Sequence, residues 1–128
     1  MAQDYTQAAA KRGIPANADV VLATTDASKD LVAARTNYTI WVQRVTYVPT
    51  TVAAQAITVK DNAGSPVSVA LIPASQAVPF VADFGVEGVP LTAGVKLLAT
   101  NTAGPGGRFK VEAYYRLSSP ISYLAANQ

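Results

Sequence analysis

The chain contains neither cysteine nor histidine. Without cysteine there is no disulfide framework, no thiolate metal site and no cysteine nucleophile, and the redox compartment is left open. Without histidine the chain lacks the side chain that most often serves as a general base and most often binds metals. These absences remove the commonest catalytic and metal-binding arrangements. We therefore predict no enzyme, and no catalytic, cofactor-binding or metal-binding residues.

Charged residues are also scarce, at 14% of the chain against 50% hydrophobic residues, where about a quarter charged is usual. The ten lysines and arginines are scattered singly except at Lys11-Arg12. No basic stripe tracks phosphates, so nucleic acid is not an expected partner. No apolar run approaches the roughly 18 residues of a membrane span, and the N-terminus lacks a signal-peptide pattern. We expect a soluble chain with no membrane partner.

Turn-forming residues divide most of the chain into short β-branched runs, which predict strands. Seven to nine such runs within 128 residues predict one all-β domain, an antiparallel β-sandwich or jelly roll. The predicted strands are 19–23, 38–48, 56–60, 67–72, 78–84, 95–100 and 108–116, with further candidates at 31–35 and 121–124.

Two local patterns refine this prediction. The runs 56–60 and 67–72 alternate on either side of the turn residues Asp-Asn-Ala-Gly-Ser-Pro, which predicts a β-hairpin with a longer loop. Pro79 cannot donate a hydrogen bond to a neighbouring strand, so the strand that contains it should lie at a sheet edge or carry a bulge.

Residues 1–18 differ in composition from the predicted sandwich at 19–128. A possible N-cap at Asp4, three alanines and Gly13 as a stop signal predict a two-turn helix. So short a helix is marginal alone in water. The segment is then either a mobile tail or an arm that orders against a partner. The predicted partner-attachment residues are Tyr5, Lys11 and Arg12.

Two groups of acidic and polar residues are candidates for chemistry. Asp83 and Glu87 resemble the paired carboxylates of glycoside hydrolases, but charges at a strand end and loop are the favoured interpretation. Asp61, Asn62 and Ser65 offer oxygen ligands to calcium. They lack the spaced acids of a dedicated site, and Asp and Asn are standard turn formers.

Glycines and serines give similarly weak signals. Gly104, Gly106 and Gly107 suggest a phosphate-binding loop, but such a loop precedes a helix and here a strand follows, which favours a flexible hairpin loop. Ser118 and Ser119 have no histidine to activate them.

The aromatic residues admit two interpretations. They form either a sugar-stacking platform or the core and a subunit contact, and the second is favoured because aromatic side chains often anchor interfaces. The residues concerned are Tyr38, Trp41, Tyr47, Tyr114, Tyr115 and Tyr123.

The run 38–48 carries large apolar residues at both alternating positions. A sandwich covers only one face of each sheet, so one set should contact other subunits. Arg44 lies in the Tyr38 row and, if that row is covered, needs a carboxylate partner, either Glu112 or Asp83. The predicted subunit-interface residues are Tyr38, Ile40, Trp41, Val42, Arg44 and Tyr47.

The succession YTIWVQRVTYVPTTVAAQAITVKDNAGSPVSVAL followed by DFGVEGVPLTAGVKLLATNTAGPGGRFKVEAYYR resembles small β-sandwich virion proteins of tailed bacteriophages, of the head decoration or cement type. The resemblance covers Tyr38 to Arg116 and consists of a long strand, an ITV-D-G hairpin, a G-L-G-L passage and a closing V-A-Y strand. It does not separate head decoration from tail, spike or fibre modules, and it assigns no functional residue.

The resemblance implies a non-enzymatic capsid protein, a homotrimer without cofactors, made in the host cytoplasm and located on the virion surface. Its partners would be itself and the major capsid protein or other virion proteins. The alternative is a tail, spike or fibre module that binds a receptor or carbohydrate through exposed tyrosines. A third possibility is a bacterial sandwich domain with an unknown partner.

Overall fold

The computed structural model of the protein describes residues 13–118. Over this range the chain forms β-strands and no helix, and the strands make two antiparallel sheets. The predicted all-β sandwich is therefore confirmed. The predicted helix at 4–12 and the candidate strand at 121–124 lie outside the described residues.

The strands are β1 (Ile14–Pro15), β2 (Ala18–Leu22), β3 (Ser28–Val32), β4 (Tyr38–Thr51), β5 (Ile57–Asp61), β6 (Ser68–Ile72), β7 (Phe80–Asp83), β8 (Val89–Pro90), β9 (Leu97–Thr100) and β10 (Gly106–Leu117). The large sheet has β10 and β4 at its centre, with β1 and β2 on the far side of β10 and β7 and β8 on the far side of β4. The small sheet has the order β3-β9-β5-β6.

Each strand predicted between residues 13 and 118 overlaps an observed strand, whereas the two-residue strands β1 and β8 were not predicted. The predicted hairpin is confirmed, because β5 and β6 pair in antiparallel fashion with Ile57 opposite Ile72. The position of Pro79 is also explained. It directly precedes β7, which lies at the edge of the large sheet and pairs with β4.

The core fills the space between the sheets. Its largest buried side chains include Tyr47 and Phe109, whose ring centroids lie 4.8 Å apart. The Tyr47 hydroxyl donates to the Gly106 carbonyl at 3.0 Å, so the phenol is buried with its polar group paired. Gly107 makes room for this ring, since a Cβ there would lie 2.6 Å from Tyr47 Cε1.

A β-bulge in β4 overturns the argument from two apolar faces. Glu112 lies opposite Arg44, but the next residue of β10, Ala113, lies opposite Val42, which leaves Gln43 as an extra residue. The bulge moves the inward positions from even numbers to odd numbers. One face therefore holds the buried residues on both sides of the bulge, which are Ile40, Val42, Val45 and Tyr47.

The boundary predicted at residue 18 is also displaced. Ile14 and Pro15 pair with Tyr115 and Tyr114 of β10, and the Ala16 amide donates to the Ala113 carbonyl at 2.9 Å. Ala16 belongs to the buried core. Residues 14–18 are therefore part of the sandwich, because β10, far along the chain, supplies their hydrogen-bonding partners.

Candidate functional site

The outer face of the large sheet, the face that points away from the core, carries ordered charges at its centre. Arg44 pairs with Asp83 at 2.8 Å and lies opposite Glu112, and Arg108 pairs with Asp19 at 2.6 Å. The first pair confirms that Arg44 has Asp83 as a carboxylate partner. However, the two side chains are 45% and 50% exposed, so the pair does not require cover by another subunit.

These ion pairs shift the titration of their members. The hydrogen bond from the Gly85 amide, followed by that from Arg44, lowers the pKa of Asp83. The hydrogen bond to Asp83 raises the pKa of Arg44. The hydrogen bond from Arg108 lowers the pKa of Asp19 in the same way. All four groups are thus held in their charged forms around neutral pH.

A row of four rings crosses the outer face beside this charged centre, and we call it the ring row. Pro15 lies opposite Tyr114, Tyr114 opposite Trp41, and Trp41 opposite Pro90. Directly opposed residues of antiparallel strands point to the same side, so all four rings share the outer face. The Tyr114 and Trp41 rings lie 6.3 Å apart at an angle of 17°, and the Arg116 guanidinium lies 4.9 Å from the Trp41 ring centroid.

The β7–β8 loop, residues 84–88, is folded against this face. The Phe84 amide donates to the Gln43 carbonyl at 2.8 Å, and the Gln43 side chain donates to the Val86 carbonyl at 2.5 Å. The Tyr114 hydroxyl donates to the Glu87 carbonyl at 2.5 Å. The bulge at Gln43 thus supplies both a main-chain and a side-chain contact that hold the loop.

Glycine at the end of this loop is required by a close approach to β4. Gly88 has φ of 81°, and a Cβ built there would lie 2.6 Å from the Val42 carbonyl oxygen. No L side chain fits this position without displacing the main chain. The loop is consequently fixed at both ends.

An open groove of about 470 Å³ runs between the loop and the N-terminal part of the described chain, and we call it the Tyr114 groove. A second, smaller groove lies on the other side of Val86 and is lined by Arg44, Asp83 and Glu112. The lining residues of the Tyr114 groove are Gly13, Pro15, Asn17, Gln43, Val86, Glu87, Ala113 and Tyr114.

The predicted subunit-interface residues fall into two groups, one buried in the core and one accessible at the surface. Ile40, Val42 and Tyr47 lie in the core of this chain, so these three predictions are wrong: their side chains are not accessible to a partner subunit. Trp41 and Arg44 lie on the outer face and Tyr38 is partly exposed, so these three stay as predictions. The difference follows from the bulge at Gln43, which strict alternation did not include.

The aromatic residues separate into three places. Tyr47 is in the core, and Tyr38 and Tyr115 make an edge-to-face pair at 6.3 Å with the Arg35 guanidinium 4.4 Å from the Tyr38 ring. Tyr114 and Trp41 form the centre of the ring row. Tyr123 lies outside the described residues, as do the predicted attachment residues Tyr5, Lys11 and Arg12.

The two candidate carboxylates do not converge. Asp83 lines the smaller groove and is held by Arg44 and the Gly85 amide, whereas Glu87 lines the Tyr114 groove. The loop that carries Val86 separates them. This arrangement matches the interpretation of both residues as strand-end and loop charges.

Asp61 is a structural residue. Its buried carboxylate accepts hydrogen bonds from the amides of Ala63, Val67 and Thr92 at 3.1, 3.0 and 2.8 Å. Burial raises the pKa of Asp61, but the hydrogen bonds from Thr92, Ala63 and Val67 outweigh it and leave the pKa below its ordinary value. The carboxylate oxygens are committed to main-chain donors, which favours the turn-forming interpretation over calcium binding.

The other candidate residues also have structural surroundings. Gly106 and Gly107 begin β10, and no helix follows them within residues 13–118. Ser118 accepts a hydrogen bond from the Thr39 hydroxyl at 3.1 Å, and Ser119 lies outside the described residues. In the same part of the chain no group of three or more acidic residues is placed to hold a metal ion. No helix between residues 13 and 118 has the length and apolarity to cross a membrane.

Sequence reasoning missed Gln43, Val86 and Asn17 as residues of a surface groove. The aromatic signal of Tyr114 and Trp41 and the acidic candidate Glu87 pointed to this place. The bulge that places Gln43 beside the groove has no signature in the sequence, since Gln43 occupies an ordinary position in an alternating run.

No protein-family model matches the chain, and no curated protein matches it. Among solved structures it is similar to the Drosophila NLP-core, whose crystal structure provides insight into pentamer formation and histone binding of that protein. The TM-score is 0.47 and the identity 13%, over 77% of this chain and 96% of the other. A likeness of this degree says nothing about what this chain binds.

Proposed function

We propose that the chain is a non-enzymatic structural protein of a tailed-bacteriophage virion. It is a decoration or cement protein that binds the assembled head as a homotrimer and stabilises it. It is made in the host cytoplasm and resides on the capsid surface, and its partners are itself and the major capsid protein or other virion proteins. No cofactor, nucleic acid or membrane takes part. The virion location and the trimeric state are inferred from the sequence resemblance.

Exposed valines on the outer face of the large sheet carry this proposal. Val21 and Val48 both lie opposite Arg108, and Val81 lies opposite Thr46, so all three share the outer face. They are 60%, 42% and 56% exposed. Several apolar side chains on one sheet face favour a protein contact, whereas isolated ones need no explanation.

Cementing follows from linkage. Contacts that exist only on the assembled shell stabilise that state over its separated parts. In a trimer, binding of one subunit raises the effective concentration of the other two at the shell, so three weak contacts give a strong overall affinity. Of the predicted subunit-interface residues, Tyr38, Trp41 and Arg44 are the ones accessible to contacts between the subunits of the trimer.

Cosedimentation with empty heads that lack this protein tests the proposal. We expect saturable binding at a multiple of three copies. Val48→Asp and Val81→Asp should weaken it about tenfold, because each would place a charge in an apolar contact. Leu71→Asp is the matched control, since Leu71 is 61% exposed on the small sheet. Absence of binding by the unmodified protein would refute the head-decoration function.

A second candidate function is favoured by the ring row. A tail, spike or fibre module that binds a receptor or carbohydrate needs partly exposed aromatic rings beside polar side chains. Tyr114 and Trp41 lie outside the core, next to the Tyr114 groove.

A further inference from the structure

We propose that the Tyr114 groove binds a neutral glycan. Rings of the ring row provide the stacking surface, and Asn17, Gln43 and Glu87 provide hydrogen bonds to sugar hydroxyls. This inference rests on the second candidate function and is independent of head decoration.

Two rings of the ring row, Pro15 and Tyr114, line the groove and offer apolar surface to one face of a pyranose, and Trp41 and Pro90 continue the row beyond it. The four rings cross four strands, a span of about 14 Å at the usual strand spacing. Tyr114 and Trp41 are within 17° of parallel, and Tyr114 lines the groove itself together with Pro15. Amphipathic aromatic side chains pack the C–H face of a ligand while its hydroxyl groups remain available for hydrogen bonds.

The polar side chains of the groove have unused hydrogen-bonding capacity. Asn17 Oδ1 accepts the Ala113 amide at 3.1 Å, which fixes the side chain and leaves its NH₂ group as a donor. Gln43 Nε2 donates to Val86, which leaves Oε1 as an acceptor. No hydrogen bond or ion pair found within residues 13–118 uses the Glu87 carboxylate. A sugar hydroxyl, which both donates and accepts, matches this mixture.

Charge decides between neutral and acidic sugars. Glu87 is the only charged residue that lines the Tyr114 groove in the described part of the chain. A second carboxylate brought beside it would be repelled, and no cation among the lining residues between 13 and 118 offsets that repulsion. Neutral hexose units therefore fit better than sialic or uronic acids.

The site is also preorganised. The Tyr114 hydroxyl holds the Glu87 main chain, and Gly88 packs directly against β4. A ligand would not have to order the 84–88 loop, which lowers the entropic cost of binding.

The test is an NMR titration of the ¹⁵N-labelled full chain with maltose, cellobiose, lactose and chitobiose, with sialyllactose as the acidic comparison. We expect at least one neutral sugar to bind with a Kd of about 1–10 mM and to shift amides of the groove. Glu87→Gln should weaken that binding about tenfold without changing the thermal midpoint. Glu112→Gln, in the neighbouring groove, is the matched control.

The inference would be overturned by the absence of shifts with any of these sugars, by shifts away from the groove, or by groove shifts that Glu87→Gln and Trp41→Leu leave unchanged. Protection of the groove amides by empty heads, without sugar binding, would identify a protein-docking surface and also overturn it. Sugar binding without head binding would support it while refuting head decoration. The experiments can therefore refute either proposed function without refuting the other.

Discussion

Replacing Asp61 by asparagine should destabilise the domain strongly although the two side chains have nearly the same shape. In the native chain one carboxylate oxygen accepts the Ala63 and Val67 amides and the other accepts the Thr92 amide. An asparagine oxygen can replace the first of these acceptors. Its NH₂ group would then face the Thr92 N–H, so that a donor would meet a donor.

The magnitude follows from these contacts. One hydrogen bond to a charged acceptor is lost, and one main-chain N–H loses its partner, which together cost about 2–4 kcal/mol. For a domain of this size that corresponds to a fall in the thermal midpoint of about 8–15 °C. Asp61→Ala removes the acceptor for all three amides and should cost more.

The pH dependence gives a second readout. The folded-state pKa of Asp61 lies below its ordinary value, so its stabilising contribution is present above the unfolded pKa of about 3.9. That contribution is lost as the pH falls through the folded pKa. The difference in unfolding free energy between the native protein and Asp61→Asn should therefore shrink below about pH 4.

Urea unfolding monitored by Trp41 fluorescence at several pH values measures both effects, with Asp30→Asn as the control. Asp30 pairs with Lys96 at 2.9 Å, but its side chain is 64% exposed, so its replacement should cost less than about 1 kcal/mol. Equal stability of the Asp61→Asn and native proteins at pH 7 would refute the role assigned to this carboxylate.

Three further outcomes are expected. Gly85→Ala should lower the free energy of unfolding by about 1 kcal/mol because of its positive φ alone. Gly88→Ala should lower it by about 3 kcal/mol, because its Cβ also meets the Val42 carbonyl. Equal losses for the two variants in chemical denaturation would contradict the close approach. Removal of residues 1–16 should lower the thermal midpoint more than removal of 1–12, since only the first deletes β1; matching midpoints would show that β1 adds nothing. Light scattering at micromolar concentration should give the mass of a trimer, and a stable monomer would contradict self-assembly.

The strands could be predicted from the sequence because alternation and turn residues are local signals. The runs that became β5 and β6 show this, since each alternates within itself and the turn residues lie between them. The edge position of β7 could likewise be predicted from Pro79. These predictions need no knowledge of the partner strand.

The bulge at Gln43 could not be predicted, because it is defined only by the register between β4 and β10. Without the bulge, strict alternation predicts two apolar faces where the strand has one. That is why Ile40, Val42 and Tyr47 were wrongly predicted to lie at a subunit interface. The interpretation of Asp61 as a turn-forming residue was incomplete for a similar reason. Its contacts with Ala63 and Val67 are local, but the amide of Thr92 lies 31 residues away.

The candidate groove depends on several such long-range placements at once. Asn17, Gln43, Glu87 and Tyr114 come from four separate segments that the large sheet brings together. Composition singled out the aromatic member and one acid, but nothing local connects them to the two amides.

The thermal rupture of empty heads, with and without the purified protein, tests head cementing most directly. If the chain cements the shell, the rupture temperature should rise as protein is added and level off at saturation with a multiple of three copies, because contacts made only on the assembled shell stabilise it. Saturating binding that leaves the rupture temperature unchanged, or a failure to bind, would contradict the cement function.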